Sequence, residues 1–430
     1  MGGDVMTTAT LTITPEMQAA LSRLGNSNVF ITGKAGTGKS TLLQQFCGTT
    51  DRETVVLAPT GIAALNVGGT TIHSFFRFKP GVQPGEAALA QPKNEELYRS
   101  LECMVIDEVS MVRADLLDSV DSFLSRYGPE PGRPFGGVAV AFFGDPYQLA
   151  PVVPPDENVL LAQYPNCHFF SAWAYSRAEV TTVELTHVFR QEDRDFLAAL
   201  DAVRDGTATS EDLVLFNNRV QPHVSSDYLR DAGAMMLTAR RDQSDRINQS
   251  ILESLHGQTH TFQAMKTGYF PKASCPTGEK LTLKQGARVM LLANNPPEWV
   301  NGTMAVVERI LPHGCIVIRL PSGERSFVEP YTWEQYRYTE RHGRIYKECI
   351  GDFTQLPVRL AWALTIHKVQ GLTLEQGIIN LESEMFTPGQ MYVALSRMRT
   401  LDGLTLTPRA VRKSDIIVDP AVRQFMKGQE

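Results

Sequence analysis

Short apolar runs that end in polar or glycine residues recur through the first third of the chain. Four of them, at 29–32, 55–58, 104–106 and 138–143, have the composition of buried strands. Segments with helical spacing of apolar positions alternate with these runs, as at 114–127. The alternation predicts an α/β fold with a doubly wound parallel sheet, in which ligands bind at the carboxyl ends of the strands.

A second series of the same kind begins near residue 180. It predicts helices at 196–204 and 244–255 and strands at 180–185, 235–237, 360–366 and 377–380. Within this series the pattern changes to short β pieces separated by glycine, asparagine and proline turns. That change is typical of a small β-barrel.

The pattern divides the chain into three parts. We expect a first domain at 1–178, with a small excursion at about 79–98 where prolines and glycines interrupt regular structure. The second domain is expected at 179–283 and 354–430. The small β-barrel, at 284–353, is predicted to be inserted into that second domain.

Composition narrows the class of protein. The chain has 430 residues and a net charge of −6, which argues against a broadly basic nucleic-acid coat but not against a local basic groove. Its six cysteines are far apart, so neither a zinc site nor a disulfide framework is indicated. No apolar run approaches the length of a membrane span. We therefore expect a soluble cytoplasmic protein without a membrane partner.

The strongest chemical signal is the run Gly33-Lys34-Ala35-Gly36-Thr37-Gly38-Lys39-Ser40, which follows an apolar strand and precedes a helical pattern. It fits the phosphate-binding loop at every fixed position. The glycines let successive backbone N–H groups point inward around phosphate oxygens. Lys39 is predicted to reach the β- and γ-phosphates of ATP, and the Ser40 hydroxyl to bind Mg²⁺. The predicted nucleotide contacts in this run are Gly33, Ala35, Gly36, Thr37, Gly38, Lys39, Ser40 and the following Thr41.

Two further strand ends carry groups suited to ATP hydrolysis. Asp107 and Glu108 close the strand at 104–106, where the first carboxylate can hold Mg²⁺ and the second can polarise a water. Gln148 follows the next strand and can contact the γ-phosphate. For that segment alone, a turn capped locally by Asp145 is the simpler interpretation.

Arg190 and Arg397 both lie beside apolar residues in the second series. A guanidinium across a domain cleft can stabilise transition-state charge once the cleft closes. Taken singly, each arginine is better explained by a surface ion pair.

Two loop sets have the small polar groups and aromatics that suit contact with a nucleic-acid strand. Phe75, considered alone, is better explained as a core residue. The predicted strand-binding residues are Thr60, Gly61, His73 and Phe75 in the first domain, and Thr365, His367 and Lys368 in the second.

Together these motifs, running from Gln18 to Leu404, resemble the Pif-type DNA helicases of superfamily one, whose close relatives include the phage Dda and RecD-type enzymes. The resemblance implies that Gln18 contacts the adenine and that Gly371 belongs to the nucleotide site. It also implies that Arg190 and Arg397 are arginine fingers.

The resemblance further implies the activity. It points to an ATP-dependent DNA helicase that moves 5′-to-3′ on single-stranded DNA, uses ATP and Mg²⁺, and unwinds duplex or fork DNA as a monomer. Two RecA-like domains are implied, with a wedge at 79–98 and a Src-homology-3-like barrel at 284–353. The alternatives are a translocase that does not separate strands, a slowly hydrolysing nucleotide switch, and an enzyme acting on RNA.

The chain departs from the family pattern at three places. Val369 stands where a serine is usual, and the 144–148 segment is closer to the RecD-type version. The helix at 115–127 carries Asp115, Asp118 and Asp121 where basic residues are common, which argues against a DNA contact there.

Overall fold

The computed structural model describes residues 13–191, 193–231, 233–295 and 297–429, so the first twelve residues of the predicted first domain lie outside it. Among the described residues, no helix has both the length and the apolar composition needed to cross a membrane. Two parallel sheets and three antiparallel sheets organise the chain.

Six parallel strands form the first sheet, and we call this sheet with its helices the first lobe. The strands are β1 (Val29–Gly33), β2 (Thr54–Ala58), β3 (Thr70–Thr71), β4 (Cys103–Ile106), β5 (Ala139–Phe143) and β6 (Thr181–Leu185). They lie in the order β3-β2-β4-β5-β1-β6. The helices are α1 (Pro15–Arg23), α2 (Lys39–Thr49), α3 (Gly61–Asn66), α4 (Ile72–Phe76), α5 (Pro84–Leu89), α6 (Glu95–Arg99), α7 (Ala114–Tyr127) and α8 (Trp173–Arg177).

The predicted strands of the first series are confirmed to within a residue at their ends, because their apolar side chains are buried on both faces of the sheet. The assignment of 180–185 to the second series was wrong. Val29 of β1 pairs with Thr181 of β6, so this strand closes the first sheet and the lobe extends past the predicted boundary at 178. Strand composition does not reveal which sheet a strand joins.

Four parallel strands form the second sheet, which with its helices is the second lobe. After helices α9 (Arg194–Asp205), α10 (Ser210–Asn217) and α11 (Ser226–Asp231), the chain enters β7 (Met235–Thr238) and α12 (Arg241–Ser254). The sheet is completed after an insert by β18 (Ala363–Thr365), β19 (Gly377–Asn380) and β20 (Leu404–Thr407), in the order β18-β7-β19-β20.

The insert is longer than the predicted 284–353, because β structure begins at His260 and ends at Leu360. The strands are β8 (His260–Gln263), β9 (Met265–Gly268), β10 (Lys280–Leu283), β11 (Arg288–Leu291), β12 (Met304–Ile310), β13 (Ile316–Arg319), β14 (Arg325–Val328), β15 (Tyr331–Arg341), β16 (Arg344–Gln355) and β17 (Val358–Leu360). They form three antiparallel sheets. One pairs β8 with β10, one has five strands in the order β14-β13-β12-β11-β17, and one joins β15, β16 and β9.

The hairpin β15–β16 reaches across to the first lobe. The backbone N–H of Val56 in β2 donates to the hydroxyl of Tyr338 over 3.0 Å, and the N–H of Ile345 donates to the Glu53 carboxylate over 2.6 Å. Because β3 pairs only with Leu57 and Ala58, the earlier half of β2 would otherwise be an open edge. The hairpin therefore covers an edge strand.

The C-terminal part of the chain completes the second lobe and then returns to the first. It comprises β18 (Ala363–Thr365), β19 (Gly377–Asn380), α13 (Gln390–Leu395), β20 (Leu404–Thr407) and α14 (Pro420–Lys427). The Phe425 ring of α14 stacks on Phe170 with the centroids 4.2 Å apart, and Val422 and Met426 join the core of the first lobe. The prediction that all of 354–430 belongs to the second domain therefore does not hold for α14, whose amphipathic face packs on the first sheet's core.

The excursion at 79–98 consists of the short helices α5 and α6, which pack against α7. Ala87, Leu97 and Tyr98 are buried there in the core of the first lobe. The excursion is thus anchored by its own apolar residues, although its loops are exposed.

Candidate functional site

The loop between β1 and α2 turns sharply around three glycines. Gly36 and Gly38 both have φ of +84°, a left-handed conformation that favours glycine. A Cβ on Gly38 would lie 2.5 Å from the Met17 side chain, and one on Gly36 would lie 2.7 Å from Arg190. The loop therefore needs glycine both for its backbone angles and for the close approach of neighbouring side chains. It leads into α2, whose N-terminal N–H groups favour anions.

This loop forms one wall of a cavity of about 1110 Å³ between the two lobes. Most of the residues predicted for the nucleotide site lie on its surface. Those residues are Ala35, Gly36, Thr37, Gly38, Lys39, Ser40, Thr41, Asp107, Glu108, Gln148, Arg190, Gly371 and Arg397. The tertiary structure thus brings together residues separated by more than 350 positions in the sequence.

Lys39 lies at the base of the cavity, held by the loop itself. Its Nζ donates to the carbonyl oxygen of Gly33 over 2.6 Å and to that of Lys34 over 3.0 Å. Burial lowers the pKa of Lys39, and the nearby carboxylates of Asp145 and Glu108 oppose that shift. The loop carbonyls therefore fix the position of the ammonium, and its burial away from water strengthens its attraction for phosphate oxygens.

Asp107 and Glu108 follow β4 directly at the cavity wall. Burial raises the pKa of both carboxyls, and repulsion by Asp107 contributes to bringing that of Glu108 to about 7. Glu108 also has φ of +50°, an uncommon conformation for a residue with a side chain. Its Oε2 accepts a 2.8 Å hydrogen bond from Nε2 of Gln370 in the second lobe.

The donor set at this wall fits a divalent cation. The Ser40 hydroxyl and the Asp107 carboxylate line the same cavity, and both are hard oxygen ligands of the kind Mg²⁺ prefers. Proteins usually bind Mg²⁺ through one or two carboxylates, and phosphates of the substrate supply further ligands. The two protein ligands at this wall fit that arrangement.

Gln148 lies on the loop that follows β5 and is only 7% exposed. Its Oε1 accepts from Gln370 over 3.3 Å, and its Nε2 lies 3.4 Å from Asp145 Oδ2. Gln370 therefore links Glu108 and Gln148 from the opposite lobe. Gln370 is not among the site residues predicted from the sequence.

The two arginines line the cavity as well, Arg190 beside Gly36 of the loop and Arg397 from the second lobe. Arg190 donates to the carbonyl oxygens of Ser396 and Gly371 over 3.1 and 3.2 Å. Arg397 is 1% exposed and donates to the carbonyl oxygens of Val393 and Leu372. Burial and the neighbouring Arg190 lower the pKa of Arg397 to about 9. These bonds are to neutral acceptors, and both arginines line the cavity, so within the described residues neither forms the surface ion pair of the alternative interpretation.

Two predicted nucleotide contacts do not line the cavity. Gln18 is exposed on α1, and Met17 is at the cavity wall instead. An α-helix turns by about 100° per residue, so neighbouring residues point in different directions. Gly33 is likewise absent from the lining, but its carbonyl oxygen holds Lys39.

Several cavity residues were not singled out from the sequence. Phe189 is 44% exposed, and its ring lies 3.6 Å from where a Gly38 Cβ would be. Its position directly before Arg190 was the available signal. The other additional residues are Met17, Gly144, Asp193, Thr373, Arg399 and Thr400.

The predicted strand-binding residues cluster at the ends of strands in both lobes. Thr60 is exposed after β2 and caps α3 by accepting from the Ala63 N–H over 3.3 Å. A Cβ on the next residue, Gly61, would lie 2.4 Å from Ser274 Oγ, so the insert packs closely there. His73 is half-buried in α4, and burial, followed by the charge of Arg113, lowers its pKa.

In the second lobe, Thr365 ends β18 and is 7% exposed. His367 and Lys368 follow it in a short 3₁₀ helix, Ile366–Val369. Burial lowers the pKa of Lys368, and the charges of Arg359 and Arg241 lower it further. This end of the second sheet is therefore locally basic even though the chain as a whole is acidic.

Phe75 is a core residue, so the prediction that it stacks on a base was wrong. It is 5% exposed and meets the rings of Phe76, Tyr98 and Tyr338 edge to face. Such enclosure removes the ring faces from any nucleic acid strand. The apolar face of α4 packs inward, as the alternative interpretation expected.

Comparisons with known proteins identify relatives of this chain. Residues 11–213 match the family model described as PIF1-like helicase. The human ATP-dependent DNA helicase PIF1 is 35% identical over 434 residues, which cover 95% of this chain and 63% of the human protein. The ATP-dependent DNA helicase Pif1 of Bdellovibrio bacteriovorus is 35% identical, with 97% of this chain and 92% of that protein covered.

A solved structure shows the same architecture. The crystal structure of Bacteroides sp Pif1 in complex with ADP-AlF4 superposes with a TM-score of 0.86 at 36% identity, covering 97% of this chain and 96% of that one. The chain thus spans less than two thirds of the human relative and nearly all of these two bacterial ones.

Proposed function

Because the chain belongs to the PIF1-like helicase family, we propose that it is an ATP-dependent DNA helicase that moves 5′-to-3′ on single-stranded DNA and unwinds duplex DNA. One observation carries the proposal. Arg397 of the second lobe and Arg190 of the segment between the lobes share a cavity with Lys39 and Glu108 of the first lobe. A site completed by both lobes couples hydrolysis to their relative position.

We place the triphosphate of ATP along the loop from Gly36 to Thr41, with Lys39 on the β- and γ-phosphates. Ser40 and Asp107 would hold Mg²⁺, which neutralises phosphate charge when bound. Glu108, with its raised pKa, accepts a proton from the attacking water, and Gln148 orients that water. Arg190 and Arg397 stabilise the charge that spreads over the transferred phosphoryl group.

The base of the nucleotide is proposed to lie against Phe189 and Met17. Phe189 offers an exposed ring at the cavity rim beside Gly38, and Met17 supplies an apolar surface on the other side. Aromatic rings stack on any base, so these contacts explain how a base is bound but do not select adenine. The Gln18 amide could contribute to selection only after a movement of α1.

Movement follows from two states of the cavity. In one, ATP draws the arginines and the phosphate loop together, and hydrolysis weakens that attraction. The two lobes then alternate their hold on the DNA strand. The proposed contacts are Thr60, Gly61 and His73 on the first lobe, and Thr365, His367 and Lys368 on the second.

The excursion and the insert are proposed to part the strands. The helices α5 and α6 pack on α7 of the first lobe with exposed loops between them, and the β15–β16 hairpin lies across the edge of the first sheet. We propose first-lobe bounds of 13–185 together with α14, and an insert at 260–360 within the second lobe.

The test is strand separation on duplexes that carry a single-stranded tail at either the 5′ or the 3′ end, with ATP and Mg²⁺. We expect displacement only from the 5′-tailed duplex, and none with the Lys39→Ala variant. ATP turnover stimulated by single-stranded DNA without displacement from either duplex would show a translocase instead. Equal activity on RNA tails would remove the DNA assignment.

A further inference from the structure

Arg204 connects the two lobes through a buried ion pair that lies outside the nucleotide cavity's lining. It occupies the last turn of α9 in the second lobe, and its guanidinium reaches Asp145 after β5 in the first lobe. Its NH2 group is 3.0 Å from Asp145 Oδ1, and Nε is 3.4 Å from Oδ2. The exposed fractions of the two side chains are 6% and 0%. This is a fork-shaped contact shielded from water.

Tyr147 completes the enclosure. The Arg204 guanidinium carbon lies 4.3 Å from the centroid of the Tyr147 ring, which is a cation–π distance. Arg204 thus contacts two residues of the same first-lobe loop, one through charge and one through the ring face. A lysine in its place could not make both contacts, because it lacks the planar fork.

Asp145 in turn shapes the loop that carries Gln148. Its Oδ1 accepts from the Tyr147 N–H over 3.2 Å, and its carbonyl oxygen accepts from the Gln148 N–H over 2.9 Å. Its Oδ2 lies 3.4 Å from Gln148 Nε2. Asp145, whose side chain Arg204 holds, therefore contacts Gln148 twice, through its carbonyl oxygen and through its carboxylate.

A second contact fixes the same loop from the same lobe. Gly389, just before α13, has φ of +76°, and a Cβ there would lie 2.2 Å from the Gln148 carbonyl oxygen and 2.5 Å from that of Tyr147. The second lobe therefore touches the loop directly with backbone. The 145–148 loop is therefore contacted by the second lobe at both Arg204 and Gly389.

We propose that Arg204 is a positioning residue for ATP hydrolysis, which holds the Asp145–Gln148 loop against the second lobe so that the amide of Gln148 stays aligned in the nucleotide cavity. The inference rests on the proposed function, because it assigns a role within that hydrolytic site. Arg204 acts through Asp145 and touches no reacting group.

The experiment compares Arg204→Met, Arg204→Lys and Asp145→Asn with the double variant Arg204→Met/Asp145→Asn. Asp201→Asn is the matched control, because Asp201 on the same helix pairs with Lys34 across the lobes over 2.6 Å but does not touch the Gln148 loop. Steady-state kcat and KM for ATP are measured with saturating single-stranded DNA, alongside thermal unfolding.

We expect Arg204→Met and Asp145→Asn to lower kcat by about 10²-fold with little change in KM, as expected for misplacement of a hydrolytic group. The double variant should be no worse than either single one, because both remove the same contact. Arg204→Lys should recover part of kcat, and Asp201→Asn should stay within about twofold of the unchanged protein.

Three results would overturn the inference. They are an unchanged kcat in folded Arg204→Met and Asp145→Asn, additive losses in the double variant, and an equal loss in Asp201→Asn. The first of these results, combined with a fall in thermal stability, would show that the ion pair has a structural role only. If the unchanged protein shows no DNA-stimulated ATP turnover, the proposed function fails instead, and the two failures are thereby distinguished.

Discussion

Two groups of acidic residues lie near each other in the sequence of the first lobe, and their hydrogen-bond partners differ. Asp107 and Glu108 follow β4 at the cavity, and three aspartates follow within the next fourteen residues on α7. The three α7 aspartates are 1–5% exposed, and Asp107 and Glu108 are half-buried, so both groups are at least partly withdrawn from water. Their difference lies in the partners that each group has.

Each aspartate of α7 accepts hydrogen bonds from at least two donors. Asp115 accepts from both ends of the Arg113 fork, Asp118 accepts from the N–H groups of Trp173 and Ala174, and Asp121 accepts from the Phe135 N–H and from Arg177. Each carboxylate ties α7 to another segment of the lobe, since Asp115 also accepts from the Gln83 amide over 3.1 Å. These aspartates, which argued against a DNA contact at α7, therefore stabilise the packing of the helix.

The cavity acids are met by few donors, one of which is the Gln370 amide from the other lobe. Lys39 and Arg397 are similar, because their hydrogen bonds go to neutral oxygen atoms. A buried charge without a counter-charge is costly, and such groups are retained where they serve chemistry. The comparison teaches that the partners of a buried charge, more than its burial, separate structure from function.

The largest expected effect is that of Lys39→Ala. Removing the ammonium takes away the positive charge beneath the β- and γ-phosphates, so ATP turnover should fall to background. Steady-state hydrolysis with single-stranded DNA checks this, with thermal unfolding as the control for folding. Normal turnover in this variant would end the site assignment.

Arg397→Lys is expected to lower kcat by about 10³-fold while affecting nucleotide binding much less. Lysine keeps the charge but loses the fork that reaches the transferring phosphoryl group. Hydrolysis rates and titration with a fluorescent ATP analogue separate the two effects. Equal losses in both would mark Arg397 as structural.

Glu108→Gln should lower kcat by about 10²-fold or more through loss of the base, with the free energy of unfolding unchanged or slightly raised. Burial disfavours the carboxylate, whereas an amide of the same shape is neutral and can still accept from Gln370. Kinetics and denaturant unfolding on the same sample test both parts. A large loss of stability with normal kcat would place Glu108 with the structural acids.

Asp118→Asn is the matched change on α7, and its effect should be the reverse. An asparagine oxygen can serve one of the two backbone donors at Trp173 and Ala174, but the amide NH₂ would face the other. We expect a loss of about 1–3 kcal/mol in the free energy of unfolding with near-normal kcat. A kinetic defect without destabilisation would remove the distinction between the two groups.

The smallest effect is expected for Arg177→Ala. This arginine pairs with Asp121 over 2.6 Å, but its side chain is 60% exposed, so water screens the interaction. The free energy of unfolding should change by less than about 1 kcal/mol. Denaturant titration measures the change, and a loss as large as that of Asp118→Asn would show that Asp121 depends on this partner more than on the Phe135 N–H.

Much of the first lobe could be predicted from the sequence because its helices, strands and phosphate loop each depend on a short run of residues. The helix at 114–127 was predicted with its observed bounds, and Gly36 and Gly38 adopt the left-handed angles that the loop motif requires. Apolar spacing and glycine content act over a few residues, so they can be recognised without a structure.

Errors arose where a residue's surroundings come from distant segments. The Thr181–Leu185 strand pairs with β1, α14 packs on the first lobe, and Phe75 is enclosed by rings that include Tyr338 of the insert. Gln18 and Met17 are adjacent in sequence, yet only Met17 reaches the cavity. No local pattern contains these facts.

The sequence by itself determined the elements, the phosphate loop and the set of charged residues available for hydrolysis, since each depends on chemistry within a short span. The tertiary structure alone decided which charges are partnered and which are not. That outcome depends on segments such as α9, which brings Arg204 to Asp145, and the Gln370 loop, which brings an amide to Glu108. Pairing across such distances is a property of the folded chain, because proximity between the lobes is created only when both have packed.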